Sequence, residues 1–237
     1  MQFHVIAESH SRLRRRFGYW GLSFLINGTI LFDTFSHGRF LIRSMLRNAV
    51  DPKTIRHIIL SHDHWDHVNG IFELLRYNNT ATVYIGSHFS NETKQKLSTF
   101  SNPIQEISNQ QLIAGNIFSS GEMHGIYNKV PIFEQSLYHI GSSSTIIITG
   151  CAHPPLTTIV QHIQKYIPKH HTITIIGGFH WYQHSTTEIN TALDSLHTLG
   201  VRTLAPCHCT GRLATKIISA RTDFNLIPIT TSMRIEL

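Results

Sequence analysis

This sequence has few charges, few cysteines and no long apolar run. Of its 237 residues, 14% are charged and 41% are hydrophobic, a balance that allows a sizeable core and argues against intrinsic disorder. No apolar segment reaches the roughly 20 residues that span a bilayer, and the first residues lack the apolar stretch of a signal peptide. We therefore expect a soluble protein without a membrane partner.

The few charges are unbalanced. The chain has 20 Lys and Arg against 14 Asp and Glu, which gives a formal net charge of +6 and favours anionic ligands. A basic stripe with interleaved aromatics, which would indicate nucleic-acid binding, is missing. The one basic run is interpreted as a solvated loop face rather than as a phosphate clamp. It comprises Arg12, Arg14, Arg15 and Arg16. We expect a small-molecule anionic substrate and no nucleic-acid partner.

Histidine, in contrast, is abundant, with 18 residues. Three histidines and a carboxylate form an H-x-H-x-D-H pattern after the predicted strand 54–60: His62, His64, Asp66 and His67. In an extended turn His62 and His64 project to the same side, whereas Asp66 and His67 lie on the first helical turn and face a second point. Imidazole beside carboxylate indicates a site for zinc or another first-row metal. A solvated histidine run is the alternative.

Three later histidines each follow the end of a predicted strand. They are His153, His180 and His208, after strands 145–149, 172–176 and 201–205. The carboxyl edge of such strands is where α/β proteins place their sites. A single histidine at a strand end is often structural, but three in succession, with the first cluster at a fourth strand end, indicate a shared site.

The remaining pattern predicts an α/β fold in one domain, residues 1–237. Further strands are predicted at 3–7, 22–26, 30–32, 81–85, 138–140 and 225–229, and helices at 38–50, 66–76 and 91–100. Asn27-Gly28 predicts a two-residue hairpin turn. Ser185 and Glu188 form a capping box that opens a helix ended by Gly200. Residues 101–135 contain several glycines and permit no assignment.

Together these residues resemble the metal motifs of the metallo-β-lactamase superfamily, and the resemblance covers residues 22–237. It implies a four-layer αββα sandwich with a one- or two-metal site at its edge. Within the superfamily, the sequence is similar to a narrower group, the archaeal-type dihydropterin synthase subgroup, which is tied to methanopterin biosynthesis. That likeness is carried by Gly21–Ile26, Leu31–Thr34, Glu134–Leu137, Thr149–Pro154, Gly177–His180 and Pro206–Gly211.

The resemblance also implies roles for single residues. His62, His64 and His153 match the first metal position, and Asp66, His67 and His208 match the second. Asp33 matches a buried aspartate that supports the metal loop by accepting a hydrogen bond. The implied cofactor is zinc, with two ions expected and manganese or iron as alternatives.

Two positions depart from the family pattern. The superfamily usually has an aspartate that bridges the metals after the strand that here ends at Ile176, but this chain has Gly177-Gly178-Phe179-His180. His180 is a candidate terminal ligand in its place, or a substrate contact, or a structural residue. Phe35 stands where the family commonly has glycine, which predicts a reshaped pocket floor.

Cysteine is the last open question of the predicted site. Cys151, Cys207 and Cys209 each lie within two residues of a candidate histidine ligand and cannot form a disulfide framework. A thiolate is an excellent zinc ligand, although small cysteines in such positions are more often packing residues. Free thiols beside metal ligands suit a reducing compartment, so we expect a cytoplasmic protein.

The expected activity is hydrolysis of a small anionic ester or phosphoester by a metal-bound hydroxide, with Asp66 orienting the water and moving its proton. No Gly-x-Ser-x-Gly elbow or Walker-type loop competes for this role. The alternatives are a dihydropterin synthase-like transferase, which joins a pterin to a phosphorylated aromatic amine, and a non-catalytic metal-binding protein. Candidate substrate contacts are His124 and Trp181, and candidate anion holders are Arg39, Lys129 and Arg212.

Overall fold

The structure is a computed structural model that describes residues 1–9 and 18–237. The basic run from Arg12 to Arg16 lies outside the described residues. The chain forms two compact units, of which the first contains residues 1–108 and 230–237 and the second contains residues 109–229. In the described ranges, no helix combines the length and the apolar character that crossing a membrane requires.

The first unit contains a mixed sheet. Its strands are β1 (Gln2–Glu8), β2 (Leu22–Ile26), β3 (Ile30–Phe32), β4 (His57–Ile59), β5 (Thr82–Gly86), β6 (Ile104–Ile107) and β14 (Arg234–Glu236). The order is β14-β1-β2-β3-β4-β5-β6. The first four strands in this order pair antiparallel, and β3 to β6 pair parallel. The parallel half brings the carboxyl ends of β3 and β4 to one edge, where the histidine cluster follows β4.

Helices of the first unit pack on one face of this sheet. They are α1 (Gly38–Arg47), α2 (Trp65–Val68), α3 (Ile71–Tyr77) and α4 (Asn91–Leu97). The i, i+4 pair Leu41 and Met45 of α1 is fully buried in one cluster with Leu31, Ile58 and Val83 of the sheet. Each such side chain contributes roughly 1.5–3 kcal/mol when it leaves water. Helix α1 ends at Arg47, three residues before the predicted end.

The hairpin between β2 and β3 forms where predicted, but its loop has three residues instead of two. Ile26 pairs with Ile30, and the loop contains Asn27 and Gly28, both with positive φ, followed by Thr29. The extra residue has a structural role, because the Thr29 carbonyl accepts hydrogen bonds from the backbone of residues 56 and 57 at 2.8 and 3.2 Å. It thereby fixes the start of β4, which is shorter than the predicted strand 54–60.

The predicted helix 66–76 is interrupted and forms α2 and α3. In a continuous helix the His67 carbonyl would accept from Ile71, but here it accepts from the Thr34 backbone at 2.9 Å and from Thr34 Oγ1 at 2.8 Å. The Gly70 N–H likewise donates to the Phe35 carbonyl at 2.8 Å. A Cβ at Gly70 would overlap the Thr34 carbonyl oxygen. The loop after β3 therefore forms hydrogen bonds with the backbone between α2 and α3, and these bonds hold the histidine cluster against β3.

The second unit contains another seven-stranded mixed sheet. Its strands are β7 (Asn109–Ala114), β8 (Ile117–Tyr127), β9 (Val130–Ile140), β10 (Ser144–Thr149), β11 (Thr172–Gly178), β12 (Val201–Cys207) and β13 (Asn225–Leu226). The order is β13-β12-β11-β10-β9-β8-β7. Strands β10 to β13 pair parallel, so the segments that follow β10, β11 and β12 leave the sheet at the same edge.

Residues 101–135, unassigned from the sequence, are largely strand. Each glycine that weakened the prediction has a local backbone role. Gly115 has a φ of +56° in the turn between β7 and β8, and Gly121 has a φ of +75° at a register shift in β8. At Gly125 a Cβ would lie 2.6 Å from the His153 carbonyl carbon. Glycine here permits bends and a close approach inside strands.

Helices α5 (Leu156–Ile163), α6 (Thr186–Thr198) and α7 (Arg212–Ala220) pack on one face of the second sheet. The predicted capping box of α6 is confirmed, because the Ser185 side chain accepts from the Glu188 backbone and the Glu188 carboxylate accepts from the Ser185 backbone. Ile189 and Leu193 of α6 are fully buried in one cluster with Ile175 of β11. Since each unit joins a mixed sheet to helices, the predicted α/β class is confirmed.

We expect Gly70→Ala to lower the free energy of unfolding by about 1–3 kcal/mol, because the new methyl group must displace the Thr34 carbonyl. Gly70 has ordinary helical φ and ψ, so the substitution adds no backbone strain. Urea denaturation measures the change. The matched control is Asn69→Ala at the exposed neighbouring position, which should leave stability nearly unchanged. Equal effects of the two variants would contradict the proposed backbone contact.

Candidate metal centre

In the first unit the histidine cluster lies where β4 passes into α2. His62 and His67 are fully buried and Asp66 is 6% exposed, so this is not a solvated histidine run. His62 Nε2 lies 3.0 Å from His64 Nδ1, as expected for two side chains that project to one side. His67 Nε2 lies 3.5 Å from Asp66 Oδ2. The cluster therefore presents two pairs of ligand atoms.

Asp33, at the end of β3, organises the cluster. Its carboxylate is fully buried and accepts from the Ser61 backbone at 2.7 Å, from Ser61 Oγ at 2.8 Å and from His67 Nδ1 at 2.7 Å. Burial raises the pKa of Asp33, while the charge and hydrogen bond of His67 and the two Ser61 donors act in the opposite direction. These contacts join Asp33 to the loop that carries the histidine cluster.

The same contacts determine the tautomers of two rings. Ser61 Oγ donates to Asp33, so it accepts from His62 Nδ1 at 2.8 Å. His67 Nδ1 donates to Asp33 directly. Both rings therefore carry their proton on Nδ1 and their lone pair on Nε2, the atom that takes part in each ligand pair.

The donor set fits a divalent metal. Two nitrogen ligands at about 2.0–2.1 Å from a tetrahedral ion lie roughly 3.3 Å apart. The pairs His62–His64 and Asp66–His67, at 3.0 and 3.5 Å, bracket this separation. Neutral imidazole with a carboxylate is a donor set for zinc, manganese or iron. Each pair supplies part of a coordination shell.

In the second unit, the segments after β10, β11 and β12 carry His153, His180 and His208. His153 Nδ1 lies 3.1 Å from the Glu134 carboxylate in β9. The other contacts of this fully buried carboxylate are the backbone N–H groups of residues 151, 152 and 153, at 2.8 to 2.9 Å. Burial alone would raise the pKa of Glu134, but the charge of His153 and these donors hold it below its ordinary value. Glu134 thus orients His153 as Asp33 orients His67.

His180 lies beside His153, with ring centroids 4.6 Å apart, and between the rings of Tyr127 and Tyr182 at 5.5 and 5.2 Å. Its backbone has a φ of +54°. The ligand atoms of His180, His153 and Cys151 all lie within 4.8 Å of one another. His180 is therefore placed on the His153 side of the candidate site.

His208 begins a 3₁₀ turn, His208–Thr210, directly after β12. Its ring lies in a second group with Cys151 and Cys209, whose ligand atoms are again all within 4.8 Å. Cys209 Sγ is 3.4 Å from Cys151 Sγ. Burial disfavours ionisation of Cys209, but its hydrogen bond with Cys151 and the nearby rings of His208 and His180 hold its pKa well below the usual thiol value. The surroundings thus favour a thiolate in this sulfur pair.

The predicted substrate contacts fall in different environments. Trp181 is 5% exposed and packs in the hydrophobic cluster of the second unit, edge-on against Phe179 at 5.4 Å. The fold thus gives it a packing position. His124 is exposed in β8 with its ring against Phe133. The candidate anion holders Arg39, Lys129 and Arg212 are all exposed.

Sequence reasoning missed one organising residue. Glu134 was part of a segment that resembled a known subgroup, but no role was assigned to it. A carboxylate in the middle of a strand is followed here by Gln135, Ser136, Leu137 and Tyr138, all buried. Charged side chains are almost never fully buried unless they are paired. A carboxylate inside a buried strand therefore indicates a buried partner, but the burial of this strand becomes known only from the structure.

Comparisons with known proteins agree on one family. A family model described as metallo-beta-lactamase superfamily matches residues 21–208. A curated relative from Methanocaldococcus jannaschii is 27% identical, over 89% of this chain and 88% of its own length. It is named 7,8-dihydropterin-6-methyl-4-(beta-D-ribofuranosyl)-aminobenzene-5'-phosphate synthase.

Solved structures share the fold. Tm1679, titled a metal-dependent hydrolase of the beta-lactamase superfamily, matches with a TM-score of 0.80 and 22% identity over 100% of this chain and 99% of its own. The metallo-beta-lactamase fold protein YhfI from Bacillus subtilis matches with a TM-score of 0.66 and 17% identity, over 98% of this chain and 96% of its own. The predicted fold, of metallo-β-lactamase type, is confirmed.

We expect Asp33→Asn to weaken zinc binding by about 10–100-fold, because the amide NH2 replaces one carboxylate oxygen and must face a donor, either the Ser61 N–H or both Ser61 Oγ and His67 Nδ1. Competition with a chromogenic zinc chelator measures the affinity. The control is Asp63→Asn in the same loop, whose carboxylate instead accepts from Ser90 and Thr93. If the two variants lost affinity equally, the role assigned to Asp33 would be wrong.

Proposed function

We propose that this chain, which belongs to the metallo-β-lactamase superfamily, is a metal-dependent hydrolase of small anionic esters or phosphoesters. The observation that carries the proposal is the His62–His67 cluster, in which one carboxylate orients a buried imidazole of each ligand pair, His67 directly and His62 through Ser61. The superfamily match includes this cluster and extends to His208.

The proposed centre holds two ions, most simply zinc. Its ligands are assigned from the family resemblance and from the geometry within each unit: His62, His64 and His153 for the first position, and Asp66, His67 and His208 for the second. His180 is proposed as a further ligand at the first position, since its ring lies beside His153. Buried imidazoles with fixed tautomers support this assignment.

A divalent ion held by these residues would supply Lewis acidity, which lowers the pKa of a coordinated water to about 7 and polarises the substrate oxygen. Asp66 is the proposed catalytic residue. One of its oxygens faces His67, and the carboxylate can accept a hydrogen bond from the attacking water and take its proton. Asp33 and Glu134 accept from Nδ1 of His67 and His153, which leaves Nε2 as the ligand atom of each ring and fixes the direction of the ring.

The charge of the protein supports an anionic substrate. The net charge of +6 attracts anions over long distances, and Arg39, Lys129 and Arg212 are exposed cations available to hold one. We propose a small molecule rather than nucleic acid. The three cysteines are free thiols, which supports a reducing compartment such as the cytoplasm.

The test is turnover of a chromogenic phosphodiester or carboxylic ester by protein loaded with Zn²⁺ or Mn²⁺. We expect His62→Ala to lower kcat/KM to the level of the metal-stripped protein, because a ligand pair is lost. The control is His170→Ala, which removes an exposed imidazole far along the sequence from the motif and should retain full activity. Failure of the loaded protein on esters, phosphoesters and lactams alike would overturn the hydrolase proposal.

The relative from Methanocaldococcus jannaschii favours a second candidate, a transferase that joins a pterin to a phosphorylated aromatic amine. The same ligands would then hold a diphosphate leaving group on the pterin substrate. The discriminating assay supplies a dihydropterin diphosphate ester with and without a ribofuranosyl aminobenzene phosphate. Diphosphate release that requires the amine and yields a coupled product supports the transferase, whereas release with water alone supports the hydrolase.

A further inference from the structure

One sulfur atom of the second unit is common to both groups of candidate ligands. Cys151 Sγ lies within 4.8 Å of the ligand atoms of His153 and His180, and within 4.8 Å of those of His208 and Cys209. His153 and His208 are assigned to different metal positions, so Cys151 is close to the ligands of both. Cys151 is also 3% exposed.

We propose that Cys151 is a thiolate ligand shared by the two metal positions. This inference rests on the proposed metal centre and adds a residue to it. Zinc binds thiolate sulfur at about 2.3 Å, and a sulfur atom has the lone pairs to contact two ions. The thiol proton leaves to solvent when the ion binds, because a coordinating thiol is deprotonated.

The space around the sulfur supports this role. The bridging aspartate of the superfamily is missing where this chain has Gly177 and Gly178. A Cβ at Gly178 would lie 2.6 Å from Cys209 Sγ and 3.3 Å from the Cys151 Cα. The Gly150 carbonyl oxygen, at 2.5 Å, is nearer still, so backbone and Cys209 Sγ occupy the room that a side chain at Gly178 would need, beside the Cys151 backbone. A thiolate can thus supply the negative charge that the carboxylate would have brought between the two metals.

The backbone holds Cys151 in place before any metal binds. Its N–H donates to Glu134 Oε1 at 2.8 Å, and the His153 N–H donates to the other oxygen of the same carboxylate at 2.9 Å. One buried side chain thus fixes the backbone of the loop that carries both Cys151 and His153.

The other two cysteines serve as internal comparisons. Cys209 joins only the His208 group, and its Sγ lies 3.4 Å from Cys151 Sγ. Cys207 is 8% exposed, and among the described residues it is in neither group. All three are small and buried, so serine variants impose similar changes in volume.

The experiment is absorption spectroscopy of the full chain loaded with Co²⁺. A thiolate ligand adds an intense sulfur-to-cobalt charge-transfer band in the near ultraviolet, separate from the visible d–d bands that any cobalt site shows. We expect the wild type to show both, and Cys151→Ser to lose the charge-transfer band while retaining the d–d bands. Cys207→Ser and Cys209→Ser should retain both.

The outcomes separate this inference from the proposed function. Visible d–d bands without a charge-transfer band in the wild type would leave the metal centre standing and overturn the thiolate ligand. A band that survives in Cys151→Ser but vanishes in Cys209→Ser would also overturn it. Failure of the wild type to bind cobalt at all would overturn the metal centre itself. A wild-type spectrum with d–d bands and no charge-transfer band overturns the thiolate ligand even if a variant misfolds.

Discussion

The candidate site of the first unit depends on one buried carboxylate. Asp33 joins the end of β3 to the loop after β4 through Ser61 and to the first turn of α2 through His67. These three hydrogen bonds fix the backbone at the start of the motif and the tautomers of two imidazoles. Removing one partner of such a network leaves buried polar groups unsatisfied, at about 1–3 kcal/mol each. The loop therefore holds its ligand pairs in place without any help from a metal.

In the second unit a buried carboxylate on β9 likewise orients a loop that carries candidate ligands. Glu134 lies in the middle of β9 rather than at a strand end, yet it accepts from three successive backbone N–H groups and faces His153. Burial should keep such a carboxyl protonated, and the donors around it reverse that tendency. In both units the donors to a buried carboxyl group belong to the loop that carries the ligands, although only for Glu134 do they outweigh the effect of burial on the pKa. The same hydrogen bonds therefore position the ligands and satisfy the buried carboxyl group.

Features determined by local pattern were predictable from the sequence, whereas features determined by contacts between distant residues were not. Three features depend on local pattern: the turn that carries the H-x-H-x-D-H motif, the strands after residue 144 and the Ser185 cap. All three are present in the structure. The break between α2 and α3 is not local, because Thr34 takes the carbonyl that would have continued the helix. The role of Glu134 depends on a loop some 17 residues further along the chain. The long strands β8 and β9 were not predicted, because the glycines that permit bends and close contacts in this region are typical of turns in a sequence.

Strained backbone conformations also occur in the loops that carry the candidate ligands. Five non-glycine residues with positive φ lie in the two ligand-bearing regions: Asp33, Phe35, Ala152, His180 and His208, at +50° to +61°. Each such conformation costs on the order of 1–3 kcal/mol, so together they approach the net stability of a typical domain. Phenylalanine is especially costly there, and the fully buried Phe35 ring, stacked on Phe40 at 5.1 Å, offsets the strain. Strain of this size persists only where the surrounding structure enforces it, and here it lies directly after β3, β10, β11 and β12, the last three of which precede His153, His180 and His208.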